Sequence, residues 1–305
     1  MIVITGGAGF IGKHLVNGCL KNRERVTVID KVSRPSGFPA SSQLVYQQAD
    51  AAQIARLLPK GKQSGMAIVH LAAETLVQDS MLSPLSGVQS NVELTCSVLE
   101  FARRVDAKCL VFSSSAAVYG ERKEACSEND PPNPISPYAA SKLSAEYYCR
   151  TYANLYGLPV RILRLFNVYG PEQLNNDSGV IAHFLNMASR GKAPEIYGNG
   201  RQIRDFVFIR DVIDAILQTL RSKLSSGIVM NIGSGKPVTI NEVARKVIRL
   251  LQKDSLCPIY LPARPGDITS SLANISLARR KLGFQPQLDI DEGLRLTHSS
   301  LVNSQ

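Results

Sequence analysis

Two side chains four residues apart have the types and spacing needed for acid–base chemistry. Tyr138 and Lys142 fall near the start of a predicted helix, so both project from one face of it. A tyrosine with its usual pKa of about 10 is a poor base at neutral pH, but a neighbouring ammonium group favours the phenolate. Ser115, at the end of a predicted strand, could bridge the phenol and a substrate hydroxyl. Taken alone, a tyrosine and a lysine at this spacing occur on many helices, and Ser115 fits an ordinary strand end. These residues become specific only together with the rest of the chain.

A glycine-rich turn near the N-terminus has the composition of a phosphate-binding loop. Residues 5–12 follow a strand-like run and open a helical pattern. Gly7, Gly9 and Gly12 match the dinucleotide fingerprint, and Gly6, Gly9 and Gly12 match its three-spaced variant. Glycines let the chain turn tightly and let a pyrophosphate approach the backbone, while the helix N-terminus supplies free N–H donors. The segment therefore predicts a dinucleotide site.

An acidic residue at the end of the second predicted strand favours NAD over NADP. Asp30 lies 18 residues after Gly12, where a carboxylate accepts both adenosine ribose hydroxyls and repels a 2′-phosphate. Lys31 follows directly and weakens this preference. Asp50, which ends the third predicted strand, is a candidate partner on the adenine side. An ordinary strand-end turn is the alternative interpretation of both aspartates.

Short β-branched runs alternate with helical patterns over the first two-thirds of the 305-residue chain. These elements must position the candidate residues. Alternating strands and helices indicate right-handed crossovers around a parallel sheet, and nearly continuous apolar strands indicate helices on both faces. The sequence therefore predicts an α/β fold with a doubly wound parallel sheet. Strands are predicted at 2–5, 25–30, 44–48, 67–71, 108–113 and 160–165, and helices at 11–21, 51–58, 85–104 and 138–156.

The pattern loosens after about residue 170. Helical stretches near 180–189, 212–223, 239–252 and 289–301 are mixed with glycine-containing loops. We expect residues 1–170 to form the dinucleotide-binding domain with the catalytic residues. Residues 171–305 should form mainly a smaller α/β lobe that binds the substrate, with some segments returning to the sheet.

Composition limits the kinds of partner and compartment. The net charge is +10, but Lys and Arg are spread along the chain, which favours a surface that attracts a phosphorylated small molecule over a nucleic-acid binder. The six cysteines have no paired close spacing, which predicts reduced thiols and no metal site. Neither a secretory signal nor an apolar run of about 18 residues is present. We expect a cytoplasmic protein that does not enter the membrane.

Motifs spread over almost the whole chain carry a family resemblance. In order and spacing they resemble those of the extended short-chain dehydrogenase/reductases, in the NAD-dependent sugar epimerase/dehydratase branch. The resemblance implies a Rossmann-type sheet, bound NAD and, as the leading interpretation, a 4-epimerase of a UDP-hexose. The motifs are GGAGFIG at 6–12, HLAA at 70–73, FSSSAAVYG at 112–120, SPYAASK at 136–142, LFNVYGP at 165–171, YGNGRQIRDFV at 197–207, NIGSG at 231–235 and RPGD at 264–267.

The resemblance implies a catalytic triad and a set of cofactor contacts. Tyr138 would be the base, Ser115 its proton-bridging partner, and Lys142 would hold the nicotinamide ribose and acidify Tyr138. The implied cofactor contacts are Gly6, Gly9, Phe10, Ile11, Gly12, Asp30, Lys31, Asp50, Ala51, Leu71, Ala72, Ala73, Asn91, Ser113, Tyr138 and Lys142.

The resemblance also implies how a nucleotide sugar would be held. Asn167 would contact the diphosphate, and Arg204 and Arg264 would clamp phosphates. Asp267 would hold the ribose. A guanidinium forms forked, charge-assisted bonds with phosphate oxygens, which agrees with these roles. The implied substrate contacts are Val77, Ser115, Tyr138, Asn167, Val180, Ile196, Tyr197, Arg204, Arg264, Asp267 and Ser271.

The residues after Ser115 favour epimerisation over dehydration. The 4,6-dehydratases that this chain resembles carry Asp-Glu at these positions, and the decarboxylases tend to carry a Glu in this region. This chain has Ala116 and Ala117 there. Alanine cannot transfer a proton, whereas epimerisation needs only Tyr138 and the cofactor.

Two features bear on the sugar. Residues 172–189 contain neither Lys nor Arg to hold a uronate carboxylate, which favours neutral sugars. In similar epimerases a bulky tyrosine at the place of Ser271 restricts the pocket, while a small residue admits an N-acetyl group. The hypothesis is that UDP-GlcNAc and UDP-GalNAc are accepted as well as UDP-Glc and UDP-Gal. An ordinary loop residue is the alternative interpretation of Ser271.

Other functions stay open. A uronate 4-epimerase, a dehydratase or a 4-keto reductase could use the same scaffold, and a reductase would release its cofactor. A non-catalytic NAD-sensing regulator would have little need for an intact triad. The resemblance implies a homodimer through the helices predicted at 85–104 and 138–156. A monomer could instead bury the apolar faces of these helices against its own sheet.

Overall fold

The computed structural model describes residues 1–58, 61–63, 65–173, 179–264 and 266–302. The chain divides into two compact units, each assembled from three separate segments. The last segment of unit 1 lies far beyond residue 170, and unit 2 begins well before it. Unit 1 consists of Met1–Val118, Pro134–Arg164 and Ile213–Met230, and unit 2 of Tyr119–Asn133, Leu165–Val212 and Asn231–Gln305.

The secondary structure alternates along most of the described chain. The strands are β1 (Ile2–Thr5), β2 (Val26–Asp30), β3 (Leu44–Gln48), β4 (Ala67–His70), β5 (Cys109–Ser115), β6 (Val160–Leu165), β7 (Asn167–Tyr169), β8 (Glu195–Tyr197), β9 (Ile203–Phe208), β10 (Ile228–Ile232), β11 (Pro237–Thr239), β12 (Ile259–Leu261) and β13 (Ser270–Ser271). The helices are α1 (Phe10–Lys21), α2 (Ile54–Leu57), α3 (Val77–Leu82), α4 (Pro84–Gly87), α5 (Leu94–Arg104), α6 (Pro137–Tyr156), α7 (Val180–Ser189), α8 (Ile209–Arg221), α9 (Ile240–Leu250), α10 (Ser276–Leu282) and α11 (Ile290–Val302).

A seven-stranded sheet is the centre of unit 1. Its strand order is β10-β6-β5-β4-β1-β2-β3, and β1 pairs in parallel with both β2 and β4. The chain therefore builds the sheet outward from β1 in one direction and then from β4 in the other. In such sheets the point of reversal leaves a crevice at the carboxyl ends of the strands, where ligands bind. The predicted doubly wound Rossmann-type fold is confirmed.

Burial explains why the central strands are apolar. All four residues of β1 are buried, and its β-branched side chains suit a sheet covered by helices on both faces. The core on one side packs the sheet against α5 and α6, with Val3, Leu99 and Phe112 among its buried members. Unit 1 thus has a continuous apolar core behind the edge of the sheet that carries the candidate site.

Local signals explain most of the agreement between predicted and observed elements. All six predicted strands are present within two residues of their predicted ends. The seventh strand, β10, was not predicted. The helix predicted at 85–104 is in fact α4, a π-helical segment at 88–93 and α5. π-helical turns inside helices are frequent at functional sites, and this one contains the buried Asn91.

Unit 2 is built on smaller sheets. In one sheet β9 pairs with β11, β13 and β7, and in another β12 pairs with β8. Five of its strands, β8, β9, β11, β12 and β13, lie in the region where the sequence predicted only helices and loops. Across the described residues of the whole chain, no helix combines the length and apolar character needed to cross a membrane.

Candidate active site

The first turn of α6 carries the two residues with the most distinctive spacing. The side chain of Ser136 accepts a hydrogen bond from the Ala139 amide, and Pro137 occupies the first helical position, so the helix begins sharply here. Tyr138 and Lys142 then follow on a face that is buried, with only 9% and 4% of their surfaces exposed. The start of α6 therefore holds both side chains against the interior of unit 1.

Strand β5 meets this helix face at its carboxyl end. The Ser115 side chain is hydrogen-bonded to the Tyr138 side chain and accepts a bond of 3.1 Å from the Ala117 amide. Lys142 donates its ammonium to the carbonyl oxygen of Ser113 at 2.8 Å. The structure thus brings the three residues predicted as a triad to one edge of the sheet.

Burial shifts the pKa values of the two titratable groups in opposite directions. It raises the pKa of the Tyr138 phenol, and the hydrogen bond with Ser115 partly opposes that rise. It lowers the pKa of Lys142 to about 8, while Cys149 and Glu146 oppose the fall. At neutral pH the phenol is therefore protonated and the ammonium group is charged. The phenol needs further positive charge nearby to act as a base, and its acidification by Lys142 stays a prediction.

The glycine loop leaves room for a ligand at the N-terminus of α1. Gly6 has a φ of +73°, and a Cβ atom there would lie 2.5 Å from the Ala72 amide nitrogen. A Cβ on Gly12 would collide with the Gly6 carbonyl oxygen. At Gly9, by contrast, the nearest atom would be 3.4 Å away, and neither a side-chain cap nor an acidic residue covers the first turn of the helix. Uncapped N–H groups behind a tight glycine turn fit a pyrophosphate.

The end of β2 supplies the carboxylate predicted for the adenosine ribose. Asp30 accepts hydrogen bonds from the amides of Ala8, at 2.9 Å, and Val32, at 3.2 Å. These two bonds hold it beside the glycine loop. The Lys31 ammonium lies 3.1 Å from the carboxylate of Asp50. The charge of Lys31 is therefore paired with Asp50 and not with Asp30. This arrangement favours NAD over its 2′-phosphorylated counterpart.

Asn91 is held inside the protein. It is 1% exposed, its Oδ1 accepts from the Glu74 amide at 3.0 Å, and its Nδ2 donates to the Ser141 hydroxyl at 2.8 Å. Its predicted cofactor contact stays a prediction. The remaining predicted cofactor residues lie on the first turn of α1 (Phe10, Ile11), after β3 (Ala51), after β4 (Leu71, Ala72, Ala73) and on β5 (Ser113). Val77, a predicted substrate contact, begins α3.

Within unit 2, an arginine and an aspartate predicted for the substrate form a close pair. The Arg204 guanidinium lies 2.5 Å from the Asp267 carboxylate and also donates to the Ile203 carbonyl oxygen at 2.9 Å. Burial lowers the pKa of Arg204, and Asp267 opposes that change. Ser271 is opposite Arg204 in the pairing of β13 with β9. The structure therefore brings three of the predicted substrate residues together.

A second arginine of unit 2 stacks on an aromatic ring. The guanidinium carbon of Arg264 lies 3.6 Å from the centre of the Tyr197 ring, a geometry typical of cation–π contacts. Ile196, which precedes Tyr197 on β8, is buried. Asn167 is exposed on β7, and Val180 begins α7. The preference for neutral sugars rested partly on residues 174–178, which lie outside the described residues.

One residue of unit 2 that organises this region had no predicted role. Asp205 is fully buried, and its carboxylate accepts bonds from the amide and hydroxyl of Ser234 and from the amides of Gly235 and Ala273. It thereby ties β9 to the turn at 233–235 and to the chain after β13. The available signal was an acidic residue directly before the apolar run Phe206–Phe208.

Known proteins have sequences similar to that of this chain. A model of the NAD dependent epimerase/dehydratase family matches residues 2–233. The chain is 34% identical over 307 residues to a putative UDP-glucose 4-epimerase of Methanocaldococcus jannaschii, covering all of this chain and 99% of that protein.

Solved structures of other proteins have a similar fold. A UDP-N-acetylglucosamine 4-epimerase from Methanobrevibacter ruminantium M1, in complex with UDP-N-acetylmuramic acid, has a TM-score of 0.92 and 34% identity, over 100% of this chain and 98% of that one. A UDP-glucuronic acid 4-epimerase from Bacillus cereus, in complex with UDP-glucuronic acid and NAD, has a TM-score of 0.90 and 28% identity, over 100% and 99%. These proteins share a fold and differ in the sugar that their names give.

Proposed function

The chain belongs to the NAD-dependent epimerase/dehydratase family, and on that premise we propose that it is a 4-epimerase of a UDP-hexose. The observation that carries the proposal is the triad with buried Tyr138 and Lys142, in which Ser115 is followed directly by two alanines. Ala116 and Ala117 form the turn after β5, where a dehydratase would need groups that transfer protons. These two positions therefore do not supply the additional acid and base that dehydration needs.

NAD is the cofactor of this family, and the uncapped start of α1 and the Asp30 carboxylate fit it. When bound, NAD would supply reversible hydride exchange at C4 of the sugar and a positive charge near the triad. We propose that Lys142 and Asp30 bind its two riboses. Burial of Tyr138 keeps water away from the phenol and makes its proton affinity sensitive to that charge.

The triad residues then divide the proton chemistry. Tyr138 takes the proton of the 4-hydroxyl at its phenolate oxygen and later gives it back. The Ala117 amide donates to the Ser115 oxygen, so the hydroxyl hydrogen of Ser115 stays available for the phenol oxygen or the sugar. Ser115 therefore orients the proton path without changing its own charge.

We propose that the paired residues of unit 2 hold the nucleotide. Arg204 and Arg264 would bind phosphate oxygens through forked, charge-assisted hydrogen bonds. Asp267 has one oxygen on Arg204, and its other oxygen can accept from a ribose hydroxyl. The Arg264–Tyr197 stack presents a flat surface of the kind on which a nucleobase packs.

A direct assay tests the proposed function. The purified protein is incubated separately with UDP-Glc, UDP-GlcNAc and UDP-glucuronate, with no reductant, and the configuration at C4 is followed by NMR. Conversion of a neutral sugar to its galacto form is expected. Conversion of UDP-glucuronate alone would overturn the neutral-sugar assignment and identify a uronate 4-epimerase. No conversion of any of the three would overturn the proposal of a 4-epimerase of UDP-Glc, UDP-GlcNAc or UDP-glucuronate.

We expect a Ser271→Tyr substitution to separate the two neutral sugars. Ser271 is buried opposite Arg204, so a large side chain would take up space that an N-acetyl group needs. A misfit of about one group in a substrate pocket is worth about 1–3 kcal/mol, so kcat/KM for UDP-GlcNAc should fall relative to UDP-Glc by about 10- to 200-fold. Ser270→Tyr is the matched control because neighbouring strand residues point to opposite faces. An equal loss for both sugars, or no loss, would contradict this role.

We also propose a homodimer through the helices of unit 1. Several apolar side chains on these helices are exposed, Leu85 at 77% and Leu155 at 71% among them, so the sheet does not cover all of their apolar surface. Sedimentation should give about twice the monomer mass of 33.2 kDa. The double variant Leu85→Glu/Leu155→Glu should shift this to the monomer, whereas Val302→Glu, an exposed apolar position on α11, should not. A monomeric wild type would contradict the proposal.

A further inference from the structure

A buried histidine that the proposed mechanism does not use lies between β1 and α5. His70 is 1% exposed, and burial, with the charge of Lys142 adding to it, lowers its pKa to about 3. Its ring is therefore neutral at physiological pH. The two ring nitrogens have different partners: Nδ1 lies 2.7 Å from the Thr5 hydroxyl oxygen and Nε2 lies 3.1 Å from that of Thr95.

The hydrogens of these partners determine the tautomer of His70. The Thr95 hydroxyl donates its single hydrogen to the main-chain carbonyl oxygen of Asn91 at 2.5 Å. The Thr95 hydroxyl oxygen can therefore only accept a hydrogen from His70 Nε2. Nε2 therefore carries the ring hydrogen, and Nδ1 of the neutral ring is an acceptor. The Thr5 hydroxyl must then donate to Nδ1, and it accepts in turn from the Ala72 amide at 3.5 Å.

The same chain of hydrogen bonds continues to the catalytic helix. Asn91 accepts the Thr95 hydrogen on its main-chain carbonyl oxygen and donates through its side-chain Nδ2 to the Ser141 hydroxyl at 2.8 Å. Ser141 donates to the carbonyl oxygen of Tyr138, also at 2.8 Å. Two runs of hydrogen bonds therefore meet at Asn91: one runs from Ala72, next to the glycine loop, to the Asn91 main chain, and the other runs from the Asn91 side chain to the backbone of the proposed base.

We propose that His70 is a positioning residue for Tyr138, acting as the Nε2–H tautomer through Thr95, Asn91 and Ser141. The inference rests on the proposed function for its catalytic consequence, but the tautomer itself does not. His70 joins the strand that leads into the glycine loop to the π-helical segment that carries Asn91. It thereby fixes the first turn of α6 relative to the loop that would hold the cofactor.

Breaking this network should slow the reaction without weakening substrate binding. A displacement of about 1 Å far from the chemistry can cost about 100-fold in rate. We expect Thr95→Val and His70→Phe each to lower kcat about 10- to 100-fold with little change in KM. The double variant should be no slower than the slower single variant, because both substitutions interrupt the same path. Thr95→Ser, which keeps the hydroxyl, should recover most of the rate.

Thr219→Val is the matched control. Thr219 is also fully buried in unit 1, and its hydroxyl donates to the carbonyl four residues earlier, Ala215, at 2.7 Å, as Thr95 does to Asn91. Thr219→Val removes the same kind of hydrogen bond, but the helix that carries Thr219 is not part of the His70 network. An equal fall of kcat in Thr219→Val would overturn the inference, as would additive losses in the double variant.

The tautomer is measured independently by long-range proton–nitrogen NMR of the histidine rings at neutral pH, with His70→Phe to assign the signal. An Nε2–H pattern is expected, and an Nδ1–H or doubly protonated ring would overturn the inference. An inactive wild type that shows the Nε2–H pattern would overturn the proposed function and, with it, the catalytic consequence of the network. An active wild type whose kcat is unaffected by Thr95→Val would overturn the positioning role alone.

Discussion

Replacing Tyr138 with phenylalanine should lower kcat for C4 epimerisation by about 10²- to 10⁴-fold, the range that a positioned general acid or base contributes. The substitution removes only the phenol oxygen from a buried ring. Ser115 keeps its bond from Ala117, and Lys142 keeps its bond to the Ser113 carbonyl. No other hydroxyl of the triad can take this proton, because the ordinary pKa of a serine lies far above that of a phenol.

The measurement is the rate of C4 interconversion, with bound NAD quantified on the same samples. Tyr152→Phe is the matched control, since Tyr152 lies on the same helix and its hydroxyl only approaches Glu100, at 3.5 Å. Retention of NAD together with loss of turnover would assign proton transfer to Tyr138. A Tyr138→Phe variant within a few-fold of the wild-type rate would refute the proposed mechanism.

Replacing Glu146 with alanine should lower the free energy of unfolding by about 3–5 kcal/mol, as is usual when one partner of a buried ion pair is removed. Glu146 and Arg164 are 2% and 3% exposed. Arg164 donates to Glu146 through Nη2 at 2.7 Å and through Nε at 3.0 Å, and Ser114 donates to the same carboxylate at 2.5 Å. Without the carboxylate the Arg164 charge stays buried and loses the partner that offsets its desolvation.

Chemical denaturation followed by circular dichroism measures the effect. Glu100→Ala is the control, because Glu100 pairs with Arg103 and Arg104 on the exposed side of α5, where ion pairs contribute little. The double variant Glu146→Leu/Arg164→Met should recover much of the loss, since replacing both charges by apolar groups of similar size is often neutral. A similar loss in Glu100→Ala and Glu146→Ala would refute the special role of the buried pair.

The two predictions concern one helix for different reasons. Tyr138 and Lys142 occupy the first turns of α6, and Glu146 lies one turn further along it. The Glu146 carboxylate connects α6 to β5 through Ser114 and to β6 through Arg164. The same charge opposes the lowering of the Lys142 pKa. Loss of Glu146 should therefore weaken the frame of the site as well as the fold.

Features that depend on short separations along the chain can be recognised from the amino-acid sequence. The glycines at 6–12 lie between an apolar strand and a helix, and the spacing of Tyr138 and Lys142 follows from one helical turn. The six predicted strands are short apolar runs separated by helical patterns. Each of these signals is contained in a few neighbouring residues, so no knowledge of the fold is needed to recognise it.

Features that depend on distant partners become visible only in the folded chain. β10 is itself a short apolar run, with the sequence IVMNI, but only the fold shows that these residues extend the sheet next to β6. Asp205, His70 and Asn91 are ordinary polar residues in the sequence. Their importance comes from burial, since a buried polar group must find its hydrogen-bond partners wherever the fold brings them. For His70 those partners are 65 residues before it and 25 residues after it, and no local pattern specifies that meeting.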